Sequence, residues 1–337
     1  LGNADLGWEK THSTDIAVDL GFLNNRIQLS LDWYTKNTTD LLYQVPVEGA
    51  SGFSTIWDNL GDIHNEGFEI ELNTHNLTGN FKWDTSFNMS YNKNEVKKLG
   101  TDNTPIYSGF SGSNYSNILT VGKAVNTYYM YDAIGVWKNQ AEIDAYSAAH
   151  NGQPVTFEGK QIQPGDIRYR DVNNDGKIND EDKIWLGTKT PKHRMTLSSD
   201  LNLFKCINFS FVLRGEFGWM DIDNLPRNET NRFYNTSNSV WTEYWTPWNP
   251  NSKYARLGAN VDSPGVNIYE KRNYVRMQNM ALSYTFPKKL INKFMIDNLR
   301  FSINVDNAFV ISKWRTSDPL TKAVTPRIWT FGVDITL

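Results

Sequence analysis

Trp329-Thr330-Phe331-Gly332-Val333-Asp334-Ile335-Thr336-Leu337 is the stretch from which the fold is read. Trp329, Phe331, Val333, Ile335 and Leu337 fall on one face of an extended strand, and Thr330, Gly332, Asp334 and Thr336 on the other, because strand side chains alternate with period two. A strand at the end of a sequence must be paired or leave an open edge. Closing a β-barrel removes that edge, but the last strand of a soluble sheet accounts for the same residues equally well. The rest of the chain has to separate the two.

The alternation recurs along the sequence. Ile16–Phe22, Ile27–Trp33, Phe68–Leu72, Phe81–Met89, Met195–Leu203, Ile207–Leu213, Met280–Phe286 and Leu299–Val305 each carry apolar residues on one face and polar residues on the other. With the terminal segment these make nine expected strands, and no charge interrupts an apolar face. Connections near 23–26, 76–80 and 204–207 are short, whereas 37–65, 94–191, 220–272 and 310–327 are long, polar and rich in Asn, Gly, Ser and Trp. Strict alternation of short and long connections is the habit of outer-membrane barrels, with short turns in the periplasm and long loops outside. Structureless loops of this length are unusual in a compact soluble domain. The parity requires 94–191 to add an even number of strands. Residues 140–150 and 287–295 break the pattern and read as short packing helices, the second with Pro287 at its first turn.

Composition narrows the classes further. The chain has 337 residues, 39% of them hydrophobic and 13% aromatic, and no apolar run long enough for a transmembrane helix. A net charge of −3 gives no footprint for nucleic acid. Cys206 is the single cysteine, so no internal disulfide forms. Leu1 is followed by no signal peptide, and the chain reads as a C-terminal piece of something longer.

The sharpest local motif is Asp171-Val172-Asn173-Asn174-Asp175-Gly176-Lys177-Ile178-Asn179-Asp180-Glu181-Asp182. It has the spacing of a twelve-residue calcium loop, with oxygen ligands expected from Asp171, Asn173, Asp175, the Lys177 carbonyl and Asp182. Clustered hard oxygens call for a cation such as Ca2+ to offset their repulsion. An acidic turn held by Asx hydrogen bonds is the plainer reading. Asp replaces Glu at position twelve, and a strand-like Gly165–Arg170 replaces the entering helix. Trp57, Trp241, Tyr244, Trp245, Trp248 and Tyr254 form a second group, suited to ligand stacking, partner docking or a barrel's aromatic girdle. The five histidines have no metal spacing, there is no nucleophile elbow, and carboxylate pairs such as Glu69/Glu71 read as a solvated strand face, so no enzyme is expected.

Several landmarks occur in order. They are Asn3-Ala4-Asp5-Leu6-Gly7-Trp8-Glu9, Asp32-Trp33-Tyr34-Thr35-Lys36-Asn37-Thr38-Thr39-Asp40-Leu41-Leu42, Asn59–Glu69, Pro164–Asp182, Tyr274–Asn279 and Leu282–Pro287. In these the sequence resembles the SusC/RagA-type TonB-dependent outer-membrane transporters over nearly its whole length. It departs at Ala255, where Pro is common, and at Leu337 in place of Phe. The resemblance implies an all-β fold, the C-terminal portion of a transmembrane antiparallel barrel of about 22 strands with long extracellular loops. The plug and the early strands would lie outside the chain. It also implies import of an oligosaccharide or oligopeptide across the outer membrane of a Bacteroidetes-type Gram-negative bacterium. A SusD-like surface lipoprotein, TonB and outer-membrane lipid would be the partners. Asp19, Asp32, Glu69, Glu71, Lys82, Asp84, Arg214, Glu216, Arg300 and Asp306 would then face a watery lumen. The competing readings are a secreted calcium-containing glycan-binding β-sandwich and a structural scaffold of the outer membrane.

Overall fold

The computed structural model describes all residues except 1, 2, 4, 5, 47–51, 54, 101, 109–116, 224–243, 253, 257, 258, 260–267, 315 and 316. The chain divides into two units, Leu1–Asn103 with Pro191–Trp219 and Arg272–Leu337, and Thr104–Thr190 with Met220–Lys271.

The first unit is a single nine-stranded antiparallel sheet. Its strands are β1 (Lys10–Phe22), β2 (Ile27–Pro46), β3 (Thr55–Thr78), β4 (Phe81–Leu99), β5 (His193–Leu203), β6 (Ile207–Phe217), β7 (Tyr274–Thr285), β8 (Asn298–Ser312) and β9 (Ile328–Thr336). They lie side by side in chain order, each paired with the next. These are the nine strands read from the alternation, and among the described residues the segment between β4 and β5 adds none to this sheet. The turn after β1 is built from Leu23, Asn24 and Asn25, all at positive φ, a region that asparagine tolerates better than most residues. Phe204 and Lys205 do the same after β5.

Register makes the apolar face continuous. Val18 stands opposite Leu31, Leu31 opposite Ile70, Ile70 opposite Met89, and Met89 opposite Met195. On a soluble sandwich these side chains would be buried under a second sheet. Here Ile16, Val18, Leu31, Trp33, Phe301, Trp329 and Phe331 are all exposed. The sandwich reading is therefore corrected: the apolar face meets solvent or lipid, not an opposing sheet.

One expectation fails on extent. The long polar segment 37–65 is mostly strand, because β2 and β3 run for 20 and 24 residues. A membrane crossing needs about 9–11 residues, so these strands continue well past any bilayer. Polar residues there hid the pairing, since with lipid gone from one face the apolar alternation also goes.

The second unit has its own core, formed by Met130, Tyr131, Trp137, Ile143, Val155, Phe157, Ile162, Ile167, Tyr169 and Ile178. The helix expected there is α1 (Gln140–Ala149), capped by Asn139, whose side chain accepts from Glu142 N–H. In the first unit, 287–295 is a short helical turn, Lys288–Ile291 then Asn292–Phe294, with only Ile291 buried. No helix among the described residues is long and apolar enough to cross a membrane.

Candidate functional site

The wall formed by β1–β9 has two chemically distinct faces. On the apolar face, Trp33, Phe68, Tyr91, His193 and Phe217 are register partners in one row across five strands. Phe68 and Tyr91 rings lie 5.4 Å apart, and Tyr91 and His193 rings 4.9 Å. Toward the short turns a second aromatic row gathers Tyr284, Phe286 and Phe301, with ring separations of 4.8 and 5.5 Å. On β4 the band runs from Phe81 to Tyr91. That is roughly 33 Å of strand, or roughly 25 Å of height at a tilt of about 40°, the thickness of an outer-membrane hydrophobic belt.

Beyond the upper row the same face turns ionic. Lys93 pairs with Glu66 at 3.1 Å and with Glu95 at 3.4 Å, and Lys97 pairs with Glu95 at 2.7 Å. Charges in hydrocarbon are costly, so the band ends where this ladder begins.

The opposite face is polar over its whole length. Ser30 donates to Asp19 at 2.6 Å, Arg214 to Glu216 at 2.8 Å, Asn279 to Asp306 at 2.7 Å, and Arg300 to Ser283 at 3.1 Å. A shallow groove runs over Ser30, Asp32, Glu69, Glu71, Asn88 and Arg194. All ten residues expected to face water lie on this face. Lys82 and Asp84 sit near the short turns, where Asp84 bonds His75 at 2.6 Å.

The acidic loop belongs to the second unit. Asp171 Oδ1 accepts from Asn174 N–H at 2.6 Å and Asp175 N–H at 3.2 Å, and its Oδ2 from Gly176 N–H and Tyr146 O–H, both at 2.8 Å. Asn173 accepts from Asp175 N–H at 3.2 Å, and Asp175 from Lys177 N–H at 2.8 Å. Asp182, fully buried, accepts from Val172 and Asn179 N–H groups at 2.7 and 2.9 Å. Gly176 adopts φ +82 against the His150 side chain, where a Cβ would come within 2.9 Å of His150 Cβ. A carboxylate offers about four acceptor positions, and Asp171 has filled its own with protein donors. The five residues expected to hold calcium share one turn and have hard-oxygen chemistry, and the Asp171, Asn173, Asp175 and Asp182 side chains all accept from protein donors within it. No group of three His, Cys, Asp or Glu able to hold a metal occurs among the described residues.

The same buried donors shape the local titration. Tyr146 is pushed well above the usual phenol value, chiefly by burial and then by its bond to Asp171. His150 is raised because Tyr146 carbonyl oxygen and Asn174 side-chain oxygen accept from its ring at 2.7 and 3.0 Å.

The aromatic residues divide. Trp57 lies on strand β3 opposite Gln44, not in a loop, and is half-exposed. Trp245 donates its indole N–H to Lys138 carbonyl at 3.0 Å and covers Gly165, while Tyr254 is buried. Tyr244 bridges Tyr254. These three make their contacts within the second unit. Of the five described aromatic residues, Trp248 is the most displayed, 91% exposed. It sits on a turn closed by Asn249 N–H to Thr246 carbonyl at 2.9 Å, with Pro247 and Pro250 beside it. Trp241 lies outside the described residues.

A pair of arginines was assigned no role by the sequence reading, although Arg276 lies within the Tyr274–Asn279 landmark. Arg272 and Arg276 are 4% exposed and bind the connection before β9.

An antiparallel wall with one greasy belt between aromatic rows and one wet face defines a class: a membrane-spanning β-barrel, seen here in part. The profile described as "TonB dependent receptor-like, beta-barrel" matches residues 1–308, and the chain belongs to that family. It is 31% identical over 327 residues to TonB-dependent receptor P26 of Formosa agariphila, covering 94% of this chain and 32% of that protein. To TonB-dependent receptor SusC of Bacteroides thetaiotaomicron it is 28% identical over 352 residues, covering 99% and 32%. In fold it matches the RagAB peptide transporter with a TM-score of 0.74 at 20% identity, over 99% of this chain and 36% of that one. The chain thus spans about a third of the length of the curated relatives it matches. The family places it in the outer membrane of a Bacteroidetes-type bacterium, and it is a receptor family, not an enzyme family.

Proposed function

We propose that this chain forms part of the barrel of an outer-membrane TonB-dependent importer that takes up an oligosaccharide or oligopeptide. The observation that carries this reading is the wall itself: a lipid-facing belt of about the right height backed by a continuous hydrophilic face. Such a wall conducts a polar solute past lipid with no covalent chemistry. Coupling to TonB and capture by a SusD-like lipoprotein come to this chain through its relatives and belong to the proposal. Trp248, rigidly displayed, is the residue of the aromatic group best suited to touch a partner or ligand. No step depends on calcium.

The test is uptake by cells carrying or lacking the full-length gene, offered labelled oligosaccharide and oligopeptide mixtures. Loss of uptake of one class on deletion supports the proposal and names the cargo. Unchanged uptake of both rejects it.

A further inference from the structure

The connection between β8 and β9 is fastened to the polar face of the wall by charge. Arg276 stands opposite Arg214 in the register, and Arg214 opposite Thr196, on the side that carries Asn88 and Glu71. From there its guanidinium pairs with Asp318 and donates to Asn307 Oδ1 at 3.0 Å. Asn307 sits at positive φ in the bulge of β8, and its amide returns to Pro326 carbonyl at 3.2 Å. Arg272 lies between Trp219 and Trp314, 4.2 and 5.2 Å from their ring centres, and donates to the carbonyls of Pro319 and Leu320. Asp318 also organises the segment from within, accepting from Leu320 and Thr321 N–H groups at 2.8 and 3.1 Å.

We propose that Arg272 and Arg276 are positioning residues that hold Ser317–Pro326 down on the polar face as a fixed strap, narrowing the passage along the wall. The argument for a fixed element, as opposed to a swinging gate, is desolvation. Arg276 and Asp318 side chains are 4% and 7% exposed. Lifting the strap separates a buried pair and strips two carbonyls from Arg272, leaving that cation beside the Trp219 and Trp314 rings without an oxygen partner from the strap. The strap's tip is the opposite: Val324 is 94% exposed, and Thr321 and Lys322 are also exposed. The base is anchored and the tip is presented to whatever moves along the polar face. Presentation of the tip to a moving solute rests on the transport reading; the anchoring does not.

Hydrogen exchange on the full-length protein in detergent tests the anchoring. In the wild type, amides of Leu320, Thr321 and Lys322 should exchange at least a hundredfold more slowly than in an unstructured peptide. Arg276→Gln and Asp318→Asn should each accelerate them tenfold or more while β7 and β8 amides hold, and Arg276→Lys should recover part of the protection. Coil-like exchange in the wild type overturns the proposal, and this arm stands even where a variant fails to assemble. Protection within twofold of wild type in both variants overturns it as well. Uptake is measured in parallel: failure of transport with intact strap protection would count against the importer, not against the strap.

Discussion

Tyr34 on β2 lies across Gly67 on β3 and donates its hydroxyl to Asn92 Oδ1 on β4 at 2.9 Å. One side chain therefore ties three neighbouring strands, and it can do so only because position 67 has no side chain. A Cβ there would sit 2.2 Å from Tyr91 carbonyl oxygen and 2.6 Å from Tyr34 Oη. Gly67→Ala should cost about 1–3 kcal/mol through overpacking. Tyr34→Phe, losing only the hydrogen bond, should cost about 1 kcal/mol. Urea unfolding of the full-length barrel in detergent micelles measures both, and a neutral Gly67→Ala would show that the ring does not lie there.

The aromatic residues of the second unit should part company on mutation. Trp245→Ala removes the cover from Gly165 and the bond to Lys138, and should lower the unit's stability by about 3 kcal/mol or more. Trp248→Ala removes an exposed ring and should leave stability within about 0.5 kcal/mol, while weakening partner or ligand binding. Thermal melts paired with a binding assay separate the two. Equal destabilisation by both would contradict the division.

The His150 contact carries a pH dependence with a definite sign. Both ring nitrogens face oxygen acceptors, so folding favours the protonated ring and raises its pKa. That contribution is complete below the unfolded value, about 6.5, and is lost as pH rises through the raised folded value. Amide protection at Asn174 and Gly176, corrected for intrinsic exchange, should be higher at pH 5.5 than at pH 8.5. Protection that grows with pH would contradict the tautomer-spanning bonds.

The acidic loop is ordered by its own N–H groups. Chelation of divalent ions should therefore leave it folded, whereas Asp171→Ala, which removes the acceptor from the Asn174 and Gly176 N–H groups and the Tyr146 hydroxyl, should cost about 2 kcal/mol or more. Near-ultraviolet circular dichroism with and without chelator reads both. Collapse of the signal on chelation alone would restore the calcium-dependent loop expected from its spacing.

The sequence made the membrane belt legible because lipid imposes period two on every strand that crosses it. All nine strands were visible where residues such as Val18, Leu31 and Met89 meet hydrocarbon. The outer ends of β2, β3 and β4 were not, because the regular apolar alternation lapses there and Asp40, Asp62 and Glu95 look like loop. Asp171–Asp182 was recognisable as a turn from Gly176 and its carboxylates, yet spacing alone does not say whether an oxygen faces a cation or an N–H. Arg272 and Arg276 were invisible, since their partners Trp314, Asp318 and Pro319 lie some 40 residues away in sequence and meet them only through the pairing of β7 with β8.

The orientation of the wall is what everything else depends on, and β4 gives the sharpest reading. Spin labels placed one at a time at Ser86, Phe87, Asn88, Met89 and Ser90 of the full-length protein in liposomes should alternate. Labels at 87 and 89 should be quenched by oxygen dissolved in lipid, and those at 86, 88 and 90 by a water-soluble nickel chelate. In step with this, Met89→Arg should cost about 2–4 kcal/mol and Asn88→Arg less than about 1 kcal/mol. Uniform accessibility along the five positions, or alternation of the opposite phase, would contradict a wall that shows lipid its odd-numbered side chains on β4.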